Sequence, residues 1–275
     1  MLRPAILLIC FLFLPLSVRA QDIATASAPA PTESVARLPT PTPDLVAQYF
    51  TDLSFQQNQY QKDYLDYVAK SKVHTTYRTI TTQKERLDAT RLVLITRNNL
   101  LKTYLMYLRV LLAKHSGSSP TETERLQIEL SKWEAYFDEQ NSIVTSLNNE
   151  SDITVWSADF AQKYITVQQL LYTTLVQHEI NQRTEVTAML QSLTNQIQNS
   201  GKINSDIQWF SDLPIKFDLV AQSLSKSAAT SVTRQNNPTR FYNFYPDAKL
   251  ELNKAKNYLA QIATDLKVIV IKNWR

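Results

Sequence analysis

The chain has 275 residues, 29 basic against 25 acidic side chains, one cysteine and two glycines. So few glycines leave almost no position free to take positive φ, which excludes the phosphate-cradling glycine loop, the dinucleotide fingerprint and the nucleophile elbow. Long helices with few turns fit this composition. A formal charge of +4 falls to +2 once Arg3 and Arg19 of the leader described next are set aside, a balance that points to no nucleic-acid partner.

Residues 1–20 read as an export signal: a basic start at Met1-Leu2-Arg3, an apolar core from Ala5 to Leu16, and Ser17-Val18-Arg19-Ala20 as a small-residue cleavage site. Cleavage is expected after Ala20. The apolar core is short of the roughly 20 residues a spanning helix needs, so no stable membrane span is expected after cleavage. The single cysteine, Cys10, lies in that core, which leaves the exported chain without a thiol for a disulfide, a thiolate metal site or a nucleophile.

Residues 21–43 form an Ala/Pro/Thr-rich linker, ATASAPAPTESVARLPTPTP over most of its length, that cannot bury a core and is expected to be disordered. Residues 44–275 are expected to form a single helical-bundle domain.

From Asp44 to His115 there is no glycine or proline, and one helix of that span would be about 108 Å long. The expectation is one very long first helix, with the threonine-rich SKVHTTYRTITTQK at 71–84 as the place for a bend or break. HSGSSP, His115 to Pro120, is a turn in which Gly117 suits a left-handed C-cap position, with His115 in the last helical turn. Thr121 and Glu124 have capping-box spacing for a helix running to about Asn148. After the separator NNESD, a long helix is expected from about Ser157 to Asn199, and another from Asn204 to Arg234 with Pro214 near its start or kinking it. A final helix is expected from Pro246 to the C-terminus.

Three segments keep heptad spacing: Leu126, Leu130, Trp133, Phe137, Gln140, Val144 and Leu147; Phe210, Leu213, Phe217, Val220, Leu224 and Ser227; Leu252, Ala255, Leu259, Ile262, Leu266 and Ile269. The apolar run LLKTYLMYLRVLL belongs to the same pattern, with Leu94, Asn98, Leu101, Leu105, Leu108 and Leu112 on one seam and Lys102 and Arg109 on another face. The fold class is therefore all-α, an elongated and mostly antiparallel helical bundle with coiled-coil packing.

Residues 84–115 carry seven Lys or Arg against two acids, and residues 121–150 carry seven acids against two basic residues. Folding the chain back near Ser118 sets Lys102 level with Glu134, and Arg97 level with Asp138 and Glu139. Each exposed pair is worth less than about 1 kcal/mol, so the pattern selects partner and register more than it stabilises.

Candidate chemistry is sparse. His74, His115 and His178 have no histidine or carboxylate partner at metal-binding helical spacing, and no catalytic residue, metal site or cofactor is expected. His178 falls on the apolar stripe of its helix. Tyr60, Tyr64 and Tyr67 form a stripe that serves either as a packing seam or as a stacking surface for sugar rings. Arg240, Phe241, Tyr242, Phe244 and Tyr245 crowd aromatic side chains into a loop between two prolines, as a plug at the bundle end or an interaction loop for glycan, lipid headgroup or protein.

RLDATRLVLITRNNLLKTYLMYLRVLL, preceded by YQKDYLDYVAKSK and by a Pro/Thr tether behind an export signal, resembles secreted coiled-coil proteins of small-genome bacteria to which no activity is assigned. The resemblance implies export and a helical fold. The expected function is a non-enzymatic envelope scaffold, spacer or binding module, placed extracellularly, at the cell surface or in the periplasm. Its expected partner is an envelope protein or glycan, with self-association through helices a further expectation. The alternatives are a membrane-active, pore-forming-like bundle and a hydrolase whose site follows no recognised motif.

Overall fold

The computed structural model describes residues 44–115, 120–200, 208–235 and 244–273. The expected export signal and linker, the glycines Gly117 and Gly201, and Arg240, Phe241 and Tyr242 of the aromatic loop lie outside the described residues. Within them there are six helices and no strand: α1 Leu45–Tyr77, α2 Ile80–Lys114, α3 Pro120–Ser146, α4 Glu150–Asn199, α5 Gln208–Gln235 and α6 Phe244–Asn273.

The span 44–115 is two helices, not one, and the break falls inside the threonine-rich stretch. Arg78 stops α1 in the left-handed region at φ 47°, ψ 35°, with its N–H donating to the His74 carbonyl at 2.9 Å. Thr79 then caps α2: its hydroxyl accepts from the Thr82 N–H at 3.2 Å, while the Thr82 hydroxyl accepts from the Thr79 N–H at 3.1 Å. These reciprocal bonds satisfy helix-end donors that a continuous helix would have satisfied itself, which is how threonines turn weak helix propensity into a stop.

α2 runs back antiparallel along α1, with the Phe50 and Tyr107 rings 6.1 Å apart. With no glycine at the turn, Arg78 bears a left-handed conformation that costs an L-residue roughly 1–2 kcal/mol. Arg78→Gly is expected to stabilise the protein by about 0.5–1 kcal/mol, the rest of that cost being offset by glycine's larger unfolded-state entropy. A higher urea midpoint at unchanged slope checks this; a lower midpoint would mean that the Arg78 side chain contributes more than its backbone costs.

Three helix starts differ from the sequence expectation. α3 begins at Pro120, so Thr121 lies inside the helix and the Thr121/Glu124 pair is not its cap; proline suits the first helical position because its missing N–H would be unpaired there. α4 begins at Glu150, seven residues early, because Asn149 accepts from the Asp152 N–H at 2.9 Å and Glu150 and Asp152 place negative charge on the positive end of the dipole. α6 begins at Phe244, two residues before Pro246. Pro214 lies within α5, where it removes one backbone donor.

Packing follows the heptads. Leu105, Leu112, Leu126, Leu130, Phe137 and Val144 are fully buried in a core that α2 and α3 share with Ile153, Trp156, Phe160, Val167, Leu170 and Leu171 of α4. A second core joins Ile197 of α4 to Leu213 and Val220 of α5 and to Ala255, Leu259, Ile262, Leu266 and Ile269 of α6. Between them Val176 of α4 meets Phe244, Ala248 and Leu252 of α6. α4, at 50 residues, is thus the element common to every core cluster.

Candidate functional site

The basic helix α2 and the acidic helix α3 do lie together, but in a register different from the sequence expectation. Lys102 Nζ donates to both Asp138 carboxylate oxygens at 2.7 Å, and Arg109 pairs with Glu134 at 3.2 Å. Asn141 donates to Asn99 at 2.7 Å, and Arg86 pairs with Glu150 where α4 begins. Lys102 therefore meets the acid one helical turn beyond Glu134, and Glu134 takes Arg109 instead. Glu134 is buried, which raises its carboxyl above the usual range against the opposing pull of Arg109 and Lys102. Glu139 is exposed and adds to the negative field at Lys163.

Among the described residues Arg97 has no acidic partner. Its guanidinium is buried 3.9 Å from the centre of the Phe160 ring and 5.4 Å from that of Trp156, and its Nε and Nη2 make no hydrogen bond. Burial pushes it down to about 10, still well above neutral, so the charge is retained among rings. Next to it the Asn98 amide is also buried without a hydrogen bond.

Three other polar residues on the apolar seams have partners. Trp156 Nε1–H donates to Gln140 at 2.7 Å, which accounts for a glutamine in a heptad core position. Asn181 donates to Thr123 at 3.2 Å, and the Ser227 hydroxyl donates to the Ala248 carbonyl at 3.2 Å. Tyr60, Tyr64 and Tyr67 line up along α1 with tilted rings 6.2 and 6.3 Å apart and pack against the first core, so the stripe is a seam.

Of the aromatic loop, Phe244 and Tyr245 are placed. Phe244 is fully buried with its ring edge-on to Tyr172 at 6.1 Å; Tyr245 is half-buried against the same ring at 5.0 Å, and its burial raises the phenol. Both act as packing groups where α4 and α6 meet.

The structure assembles one cluster that the sequence separates, at the end of α2. His178 and Glu185 are seven residues apart on α4 and so share a face. His115, the C-cap of α2, brings Nδ1 to 2.7 Å from Glu185 Oε2, and its ring centre lies 5.4 Å from that of His178. Leu111 supplies one of the last four α2 carbonyls, which have no intrahelical donor, and His178 donates to it. The remaining His178 nitrogen, Nδ1, is buried without a hydrogen bond. Burial first, and then His115, lower the His178 pKa and keep the ring neutral. One turn along, Glu179 pairs with Arg183 at 2.9 Å and with Lys249 of α6, and Arg183 Nε donates to the Leu252 carbonyl at 3.0 Å.

His74 lies apart from this pair, bonded to Thr82 at 3.0 Å beside a shallow polar depression of about 420 Å³ lined by Thr75, Arg78, Gln83, Arg86 and Glu150. Among the described residues no group of three or more His, Asp or Glu side chains is arranged to hold an ion, and no helix is long and apolar enough to cross a membrane. No protein-family model, no curated protein and no solved structure matches the chain.

Proposed function

We propose that the protein is an exported, non-enzymatic helical bundle that acts as an envelope scaffold or spacer and holds a protein partner through α1. The observation that carries this reading is the surface of α1. It packs along α2 on one side, while Phe55 and Leu65 on its other side are 64% and 67% exposed, with Val73 also exposed. Apolar side chains concentrated on one side of a single helix mark a surface for another protein element more than random exposure does. Lys62, Asp66, Lys70 and Lys72 rim that side, and Lys70 pairs with Asp66 at 2.8 Å.

A helix of an envelope protein suits such a surface, since its own apolar stripe extends the coiled-coil pattern of the bundle. A glycan suits it less, because Tyr60, Tyr64 and Tyr67, the rings that would stack on sugars, are engaged with the core. The linker at 21–43 gives the module reach as a tether.

Replacing Phe55 and Leu65 together by Glu is expected to abolish a specific crosslinked adduct formed in the native envelope. Helix content and Tm should hold, since each exposed substitution costs no more than about 0.5 kcal/mol. Ile128→Glu, at an exposed apolar position on α3, is expected to keep the adduct. An adduct that survives the α1 double substitution overturns the reading, and so does robust dye release from liposomes by the purified protein, which would favour a membrane-active bundle.

A further inference from the structure

The geometry points to a two-histidine site, His115 with His178, for a single transition-metal ion of the imidazole-seeking class. Metal-bound histidines characteristically donate their second ring N–H to a carboxylate or a backbone carbonyl, which fixes the tautomer and aims the other nitrogen. Both acceptors are present. Glu185 takes the Nδ1–H of His115 at 2.7 Å, leaving Nε2 of that ring as a lone-pair donor. The Leu111 carbonyl takes the Nε2–H of His178, leaving Nδ1, the atom buried without a hydrogen bond.

The spacing of the rings suits an ion. At the roughly 2.0–2.1 Å of a metal–imidazole bond, an ion on both ring axes stands about 3.2 Å from each ring centre. Two centres 5.4 Å apart then subtend roughly 115° at the ion, near the tetrahedral angle that zinc prefers. The chain supplies two ligands, so water or an external donor fills the remaining positions, and the site is of the open kind. Copper(II), which binds nitrogen ligands most strongly of the divalent first-row ions, should bind tightest, with zinc competing for the same place.

The carboxylates and cations around the pair keep to other tasks. Glu179 is held by Arg183 and Lys249, and Glu185 by His115, so both cations are engaged by a carboxylate. His74 sits with Thr82 at the α1–α2 turn and serves as an internal control.

The test titrates the untagged protein with copper(II), followed by electron paramagnetic resonance, and with zinc(II), followed by thermal melting. The expected result is one ion per chain, coupling to two nitrogens, and a rise in Tm with one equivalent of zinc. His115→Gln and His178→Gln should each weaken binding at least tenfold and remove one nitrogen coupling, while His74→Gln leaves both unchanged. Glu185→Gln should weaken binding by about 10–100-fold although it contributes no ligand, a loss a merely structural carboxylate would not produce. Far-UV circular dichroism confirms folding of each variant, and His115→Gln, at a half-buried helix end, keeps the test open should His178→Gln fail to fold. No binding at one equivalent, or binding with two nitrogens that survives either histidine substitution, overturns the site.

Discussion

Arg97→Met is expected to raise the stability of the protein by about 1–4 kcal/mol, by analogy with well-packed apolar side chains that replace buried ion pairs. The cation sits against Phe160 at 3.9 Å and near Trp156 at 5.4 Å, and such contacts return about 2 kcal/mol when desolvated. Against this stand the effective penalty of several kcal/mol for burying the ion and the two guanidinium nitrogens left without acceptors. Methionine keeps much of the length and places a thioether against the same rings, an interaction that is itself favourable. Thermal and urea unfolding measure the change, each kcal/mol corresponding to about 2–4 °C in a chain of this size. Arg97→Ala should fall below Arg97→Met because truncation leaves space beside Phe160 and Trp156. A methionine variant less stable than the parent would show that the aromatic faces outweigh the desolvation cost, and the balance drawn above would be wrong.

Arg97 also shows where sequence reasoning stops. Heptad spacing placed Leu126, Leu130, Phe137, Val144, Leu252, Ile262 and Leu266 in the core, and every one of them is buried. Periodicity is a property of one helix at a time, so it survives without knowledge of the partner. Even Gln140 and Ser227, polar residues kept in the heptads, prove to be core positions with hydrogen-bond partners.

Register between helices is different, because it depends on how two helices meet, which no single helix encodes. Placing the fold-back at Ser118 set Lys102 beside Glu134, whereas Lys102 meets Asp138 and Arg109 meets Glu134, so no single fold-back point reproduces the contacts. The same reading gave Arg97 acidic neighbours, when its heptad neighbourhood, with Asn98 following it, turns it toward α4 and its aromatic residues. The break at Arg78–Thr79 was legible as a region of weakness, but the reciprocal Thr79–Thr82 bonds that fix it are a matter of geometry. Least legible of all was the pairing of His115 with His178. Their 63-residue separation carries no periodic signal, and their meeting requires α4 to begin at Glu150 and run unbroken past Glu185.

That continuity of α4 is the second feature on which a large effect rests. Gln182→Pro is expected to cost about 3 kcal/mol or more and to divide unfolding into two transitions. Gln182 is exposed, so the substitution disturbs no core side chain directly. Proline at that position removes the hydrogen bond to the His178 carbonyl, and its ring collides with the same oxygen. On the N-terminal side of the kink, α1, α2, α3 and the first half of α4 keep the core that runs to Leu171. On the other side, Ile197 keeps its contacts with α5 and α6. The short cluster of Val176 with Phe244, Ala248 and Leu252, together with the polar pairs His115–Glu185 and Glu179–Lys249, then bridges the two, and it is built against the strained turn. With Trp209 and Trp274 replaced by Phe, the fluorescence of Trp133 and Trp156 reports on the first core alone, while far-UV circular dichroism follows all helices. The two probes should coincide in the parent and in Gln182→Ala and separate in Gln182→Pro. Coincident transitions in the proline variant would mean that the packing of Phe244 and Tyr245 on Tyr172 couples the halves without an intact α4, and the long helix would then be a consequence of the assembly, not its backbone.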